Sequence, residues 1–195
     1  MNTVLITNLI KIRWIAIFGQ LITLLVIYFI LKFSIPFTEC LVVVLLSVII
    51  NFFSYLIQKN NSTLNDQKTF LFLIFDISQL VSLLYLTGGI FNPFIILILA
   101  PIIISASYLS AFWTILLSLY SILLILIINF NFIPLNWDQN FITPSIYNFG
   151  ILIALIITMI FISIYAYLFA SSSRKISSAL SETKLKLFNQ KKTTE

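Results

Sequence analysis

The chain has 195 residues, 61% of them hydrophobic and 9% charged, with a net charge of +5 and a mean hydropathy of +1.11. A soluble domain carries roughly 25% charged residues, so the composition excludes one and predicts an all-α integral membrane protein. One cysteine and no histidine leave no intramolecular disulfide, no thiolate metal cluster, and no catalysis, metal ligation or haem ligation by His.

The predicted elements run in chain order as six apolar stretches, each near the roughly 20 residues that a spanning helix needs. The first, about 14–31, follows Lys11 and Arg13. It is long enough to span and lacks a small-residue cleavage site, so it reads as a span rather than a signal peptide. The second, 37–57, carries Glu39 and Cys40 near its start, with Cys40 read as a packing residue. The third, 69–87, contains Asp76 and Gln79, three residues apart and so on one face, with Ser78 and Ser82 beside them. An acid inside a span is costly and a functional candidate. Proton exchange with a reduced ligand and a polar lock between helices are the two roles open to it. The fourth, 93–109, holds Pro101 at its middle, which predicts a kink and a Leu97 carbonyl without its helical partner. A short link around Ser110 leads to the fifth, 112–131. A loop over 132–147 precedes the sixth, 148–169.

Lysine and arginine set the orientation. With the N-terminus inside, the inner segments hold Lys11, Arg13, Lys59, Lys68, Arg174, Lys175, Lys184, Lys186, Lys191 and Lys192, and the outer ones only Lys32. That pattern places both termini in the cytoplasm. It also explains the basic balance by the bilayer, with no call for nucleic acid. The membrane domain spans 1–170. Residues 171–195 form a polar linker in which Ile176, Leu180, Thr183 and Leu187 trace a weak heptad. The linker is either a solvated tail anchored by its lysines or the start of a signalling coiled coil between two protomers.

The stretch TGGIFNPF, residues 87–94, stands out in a chain with only four Gly and five Pro. Gly88 and Gly89 permit the left-handed conformation that closes a helix. Asn92 is a preferred N-cap, and Pro93 suits the first helical position. Together they predict a stop, a tight turn and a start. The amides of Phe94 and Ile95 are expected to be unpaired at the new N-terminus and free to donate to a carbonyl oxygen. Tyr85, Phe91 and Phe94 offer flat apolar surfaces nearby. A ring ligand bearing carbonyls, such as a quinone, suits this chemistry; a plain helical hairpin suits it as well.

Gly88, Gly89, Asn92, Pro93 and Phe94 also match the GGxxNPF signature of the RegB/PrrB family of redox-responsive sensor histidine kinases, at the same junction of the third and fourth of six spans. The flanks FDISQLVSLLYLTGG and LAPIIISA and the tail SSRKISSALSETKLKL are similar too. The resemblance covers the chain from the first span into the linker. It implies a bacterial inner-membrane sensor domain, a homodimer, that binds ubiquinone at Gly88, Gly89, Asn92, Pro93 and Phe94, with Tyr85 and Phe91 close by. It implies a kinase core that passes a phosphoryl group to a response regulator. The 195 residues carry no His and no ATP-binding motif, so the expectation is a sensor module that is not itself an enzyme. The family's redox-active cysteine lies in the kinase part, and Cys40 does not inherit that role. A small proton-coupled transporter or channel using Asp76, or an assembly subunit of a respiratory complex, are the alternatives.

Overall fold

The computed structural model describes residues 4–57, 63–135, 147–160, 162–163, 178–184 and 186. These are helical apart from turns and one pair of two-residue strands, β1 (Val4–Leu5) and β2 (Thr63–Leu64), antiparallel with Val4 opposite Leu64. The first helix, α1, covers Ile6–Leu25 and continues as a π-helical turn over Val26–Ile30. Then follow α2 (Phe37–Ile57), α3 (Asp66–Leu86), α4 (Leu99–Tyr108), α5 (Ala111–Phe130) and α6 (Tyr147–Ile160). Four helical stretches, Leu9–Ile30, Phe37–Leu56, Asp66–Leu86 and Ala111–Phe130, are long and apolar enough to cross a membrane; Pro93–Tyr108 and Tyr147–Ile160 are shorter apolar helices. The protein is thus a multi-pass membrane protein. Within the linker, Leu180 and Thr183 are helical, while Ile176 and Leu187 lie outside the described residues.

α3 is the hub. Half of it is buried against protein, compared with 17% of the spanning windows of α1 and α5. Leu73, Ile77, Leu80 and Leu84, at helical spacing, form its core stripe with Ile98, Ile104, Leu117 and Ile128. A second cluster joins Ile17 and Leu24 of α1 to Cys40 and Val44 of α2 and to Leu83. Cys40 is fully buried, as a packing residue should be. The outward faces of α2 and α5 expose Leu46, Ile49, Leu119 and Leu123. In lipid, such faces gain nothing by associating, so close packing and interhelical polar contacts decide which helices meet.

Two expectations change here. Pro101 does not kink the middle of a long helix. It is the third residue of α4, in the first turn, where no backbone donor is needed. The segment before it, Pro93–Ile98, winds as a 3-10 helix. Six 3-10 residues at ~2.0 Å and ten α-helical ones at ~1.5 Å reach roughly 27 Å, close to the ~30 Å hydrocarbon core, so 3-10 winding stretches a short segment. Arg13, grouped by sequence with the orienting cations, is 8% exposed and packs inside the helix bundle.

Candidate functional site

The 87–94 turn is built from backbone conformations that need glycine. Gly88 has φ +105 and Gly89 φ +60. A Cβ on Gly89 would lie 2.5 Å from Cγ of Phe132, and one on Gly88 2.8 Å from Cδ1 of Leu135. The chain leaving α5 therefore lies directly over the turn. It is stitched there by Ile133 N–H donating to the Tyr85 carbonyl (2.8 Å) and Gly88 N–H donating to the Ile133 carbonyl (3.1 Å).

Asn92 closes the turn from inside. Its side chain is 5% exposed. Nδ2 donates to the carbonyl (3.0 Å) and the hydroxyl (2.8 Å) of Thr87, and Oδ1 accepts from Phe94 N–H (2.9 Å). Ile95 N–H donates to the Asn92 carbonyl at 3.0 Å. The expectation that the amides of Phe94 and Ile95 are free for a ligand is therefore corrected. The cap and the first 3-10 bond consume both. Pro93 lacks a donor, so this N-terminus offers a ligand none of its first three amides.

Beside the turn lies a cleft of about 130 Å³ between α1, α3, α6 and the 3-10 segment. An enclosed apolar cavity of about 150 Å³ holds a benzene, so this volume is on the scale of a single bare six-membered ring. Its walls are mostly apolar, it is partly open to the outside, and Asn92, Phe94, Leu97, Leu83 and Thr158 contribute to it. The 3-10 winding explains Phe94 and Leu97: three residues per turn put positions i and i+3 in line. A second cleft of about 80 Å³ continues the first, with Ala16, Gln20, Leu80 and Leu97 lining both; Ala100 and Pro101 line the second.

Polar contacts join α1 to α3 along this second cleft. Arg13 Nε lies 2.8 Å from Asp76 Oδ1. Nε has no aligned hydrogen bond, so proximity of charge makes this an ion pair. Nη2 donates to the Phe72 carbonyl at 2.9 Å, and the guanidinium lies 4.7 Å from the Phe72 ring centroid. Seven residues on, Gln20 and Gln79 exchange two amide hydrogen bonds, at 3.0 and 3.2 Å. Arg13 to Phe72 and Gln20 to Gln79 both span 59 residues, so α1 and α3 run side by side in the same direction.

The chain is 33% identical over 190 residues, 96% of its length, to the sensor histidine kinase RegB of Cereibacter sphaeroides, and spans 41% of that protein, its N-terminal part. Its likeness is therefore to the N-terminal part of a RegB-like sensor histidine kinase. No family model and no solved structure matches the chain.

Around this turn the predicted residues divide into three groups. Asn92 and Phe94 reach the cleft. Gly88, Gly89 and Pro93 shape the backbone that presents them. Phe91 is 67% exposed and meets the Phe132 ring, with centroids 5.7 Å apart; Tyr85 is 40% exposed, and neither lines the cleft. Asp76 and Gln79 share the face turned to α1, as their spacing predicts. Ser78 instead faces α5, where its Oγ lies 2.7 Å from the Tyr120 hydroxyl. Sequence reading missed Gln20, Thr23 and Thr87. The signal for Gln20 was present: it follows Arg13 by seven residues, on the same face, and answers the Asp76 and Gln79 pair on α3.

Proposed function

We propose that this domain senses the redox state of the respiratory quinone pool for a two-component system. It does so by binding the headgroup of ubiquinone in the cleft beside the GGxxNPF turn. The observation that carries the reading is the mostly apolar, partly open cleft whose wall includes Asn92 and Phe94, in a RegB-like chain. Phe94 and Leu97 form one wall for the ring, and the open side lets an isoprenoid tail leave into lipid. Asn92 acts by holding the turn rather than by touching the ring through a free donor.

Six spans with both termini cytoplasmic complete the topology. The lysine and arginine distribution and the parallel course of α1 and α3 support it. The turn then lies at the outer face of the bacterial inner membrane, and the signal leaves through the sixth span into the linker over 171–195. A homodimer paired along that linker, and a response regulator reached through the kinase part of a RegB-like protein, are the partners. A ligand signals only as far as it prefers one arrangement of the helices over another.

The test is a titration of the purified protein in detergent with a short-chain ubiquinone, following tryptophan quenching. Phe94→Ala is expected to weaken saturable binding about tenfold, the loss of one packed aromatic wall. Phe91→Ala, outside the cleft, should bind as the parent does. Equal affinities for the parent and Phe94→Ala would count decisively against this site.

A further inference from the structure

The cleft lacks an obvious partner for a carbonyl oxygen, and counting its donors shows where one remains. Among the described residues lining it, Thr23 donates to the Gly19 carbonyl, Thr87 to Leu83, and Thr158 to Ala154. Asn92 spends its two N–H groups on Thr87. Gln20 is different. Its amide nitrogen carries two N–H groups and makes one hydrogen bond, to Gln79. It also lines both clefts. Among the described residues that line the first cleft, Gln20 therefore holds the uncommitted side-chain N–H.

The pairing with Gln79 gives this donor a further property. Two carboxamides that exchange N–H···O bonds stay equally well paired when both rotate by half a turn, because each nitrogen and oxygen simply trade places. Before the rotation the Gln20 group facing a given site is an N–H; after it, a carbonyl lone pair. A quinone oxygen accepts a hydrogen bond, whereas the hydroxyl of a quinol donates one.

We propose that the Gln20–Gln79 pair reads the polar edge of the ligand, as donor to the quinone and, after joint rotation, as acceptor from the quinol. This rests on the quinone reading above. The rotation is transmitted without moving a helix far. Gln79 lines the second cleft together with Arg13 and Asp76, so exchanging its donor and acceptor changes the hydrogen-bonding face next to the ion pair that ties α1 to α3. The redox form of the ligand thereby reaches the α1–α3 contact.

The experiment compares the parent, Gln20→Leu and Gln79→Leu, each titrated with short-chain ubiquinone and with its quinol, and records infrared difference spectra of the bound quinone. Leu keeps the side-chain bulk and suits a membrane helix. Gln20→Leu is expected to weaken both forms about five- to tenfold, the worth of one hydrogen bond. It should also abolish the downward shift of a quinone carbonyl stretch seen in the parent. Gln79→Leu keeps a donor on Gln20 but frees its amide, so it should broaden that shifted band. Saturable binding in the parent with no carbonyl shift, or affinities unchanged in Gln20→Leu, would overturn the assignment and leave the quinone site standing. No saturable binding in the parent would overturn both.

Discussion

Replacing Asn92 by Ala removes three hydrogen bonds of 3.0, 2.8 and 2.9 Å from the inside of the 87–94 turn. Each is worth about 1 kcal/mol net, and Phe94 N–H loses the acceptor that capped the 3-10 segment, so the loss is about 3 kcal/mol. At roughly 2–4 °C per kcal/mol for a chain of this size, Tm should fall by roughly 6–12 °C. Asn92→Asp keeps the acceptor for Phe94 N–H but sets a buried carboxylate oxygen against the Thr87 carbonyl, so its decrease should be at least as large. Circular dichroism melts in mild detergent, run beside a ubiquinone titration, read both effects. An Asn92→Ala protein that melts within about 2 °C of the parent, a shift worth less than one hydrogen bond, yet no longer binds quinone would refute the reasoning. Asn92 would then serve the ligand and not the turn.

Two further outcomes follow from the packing around the site. Gly89→Ala drives a Cβ into Phe132 at a left-handed backbone position, costing about 1–2 kcal/mol for the backbone alone; a second change, Phe132→Ala, should recover part of the loss in Tm, and failure to do so would mean that the segment after α5 does not cover the turn. Arg13→Leu or Asp76→Leu alone should cost about 3–5 kcal/mol, because each leaves the other charge buried, while the double replacement should be much milder; expression yield and thermal melts test this, and additive losses would exclude a direct ion pair.

Sequence alone determined the class of this protein. Runs of about 20 apolar residues in a chain with few charges leave helices in a bilayer as the available solution, because lipid offers nothing to pair a bare backbone. The 87–94 turn was equally legible, since Gly88, Gly89, Asn92 and Pro93 act on their own backbone within a few residues. The helix periodicity also showed that Asp76 and Gln79 share a face. It could not show what that face meets. Arg13 with Asp76 and Gln20 with Gln79 join helices across 63 and 59 residues of chain, and a helical period identifies a stripe without naming its partner. The same limit explains the amides of Phe94 and Ile95. Whether a helix start is open or capped depends on where one side chain points, and Asn92 turns inward because the fold buries it against Thr87. The segment from Phe132 to Leu135 reaches the turn only by tertiary docking, and so does the cleft. It is space between α1, α3, α6 and the 3-10 segment, set by how their side chains fit together, which no local rule of propensity or spacing specifies.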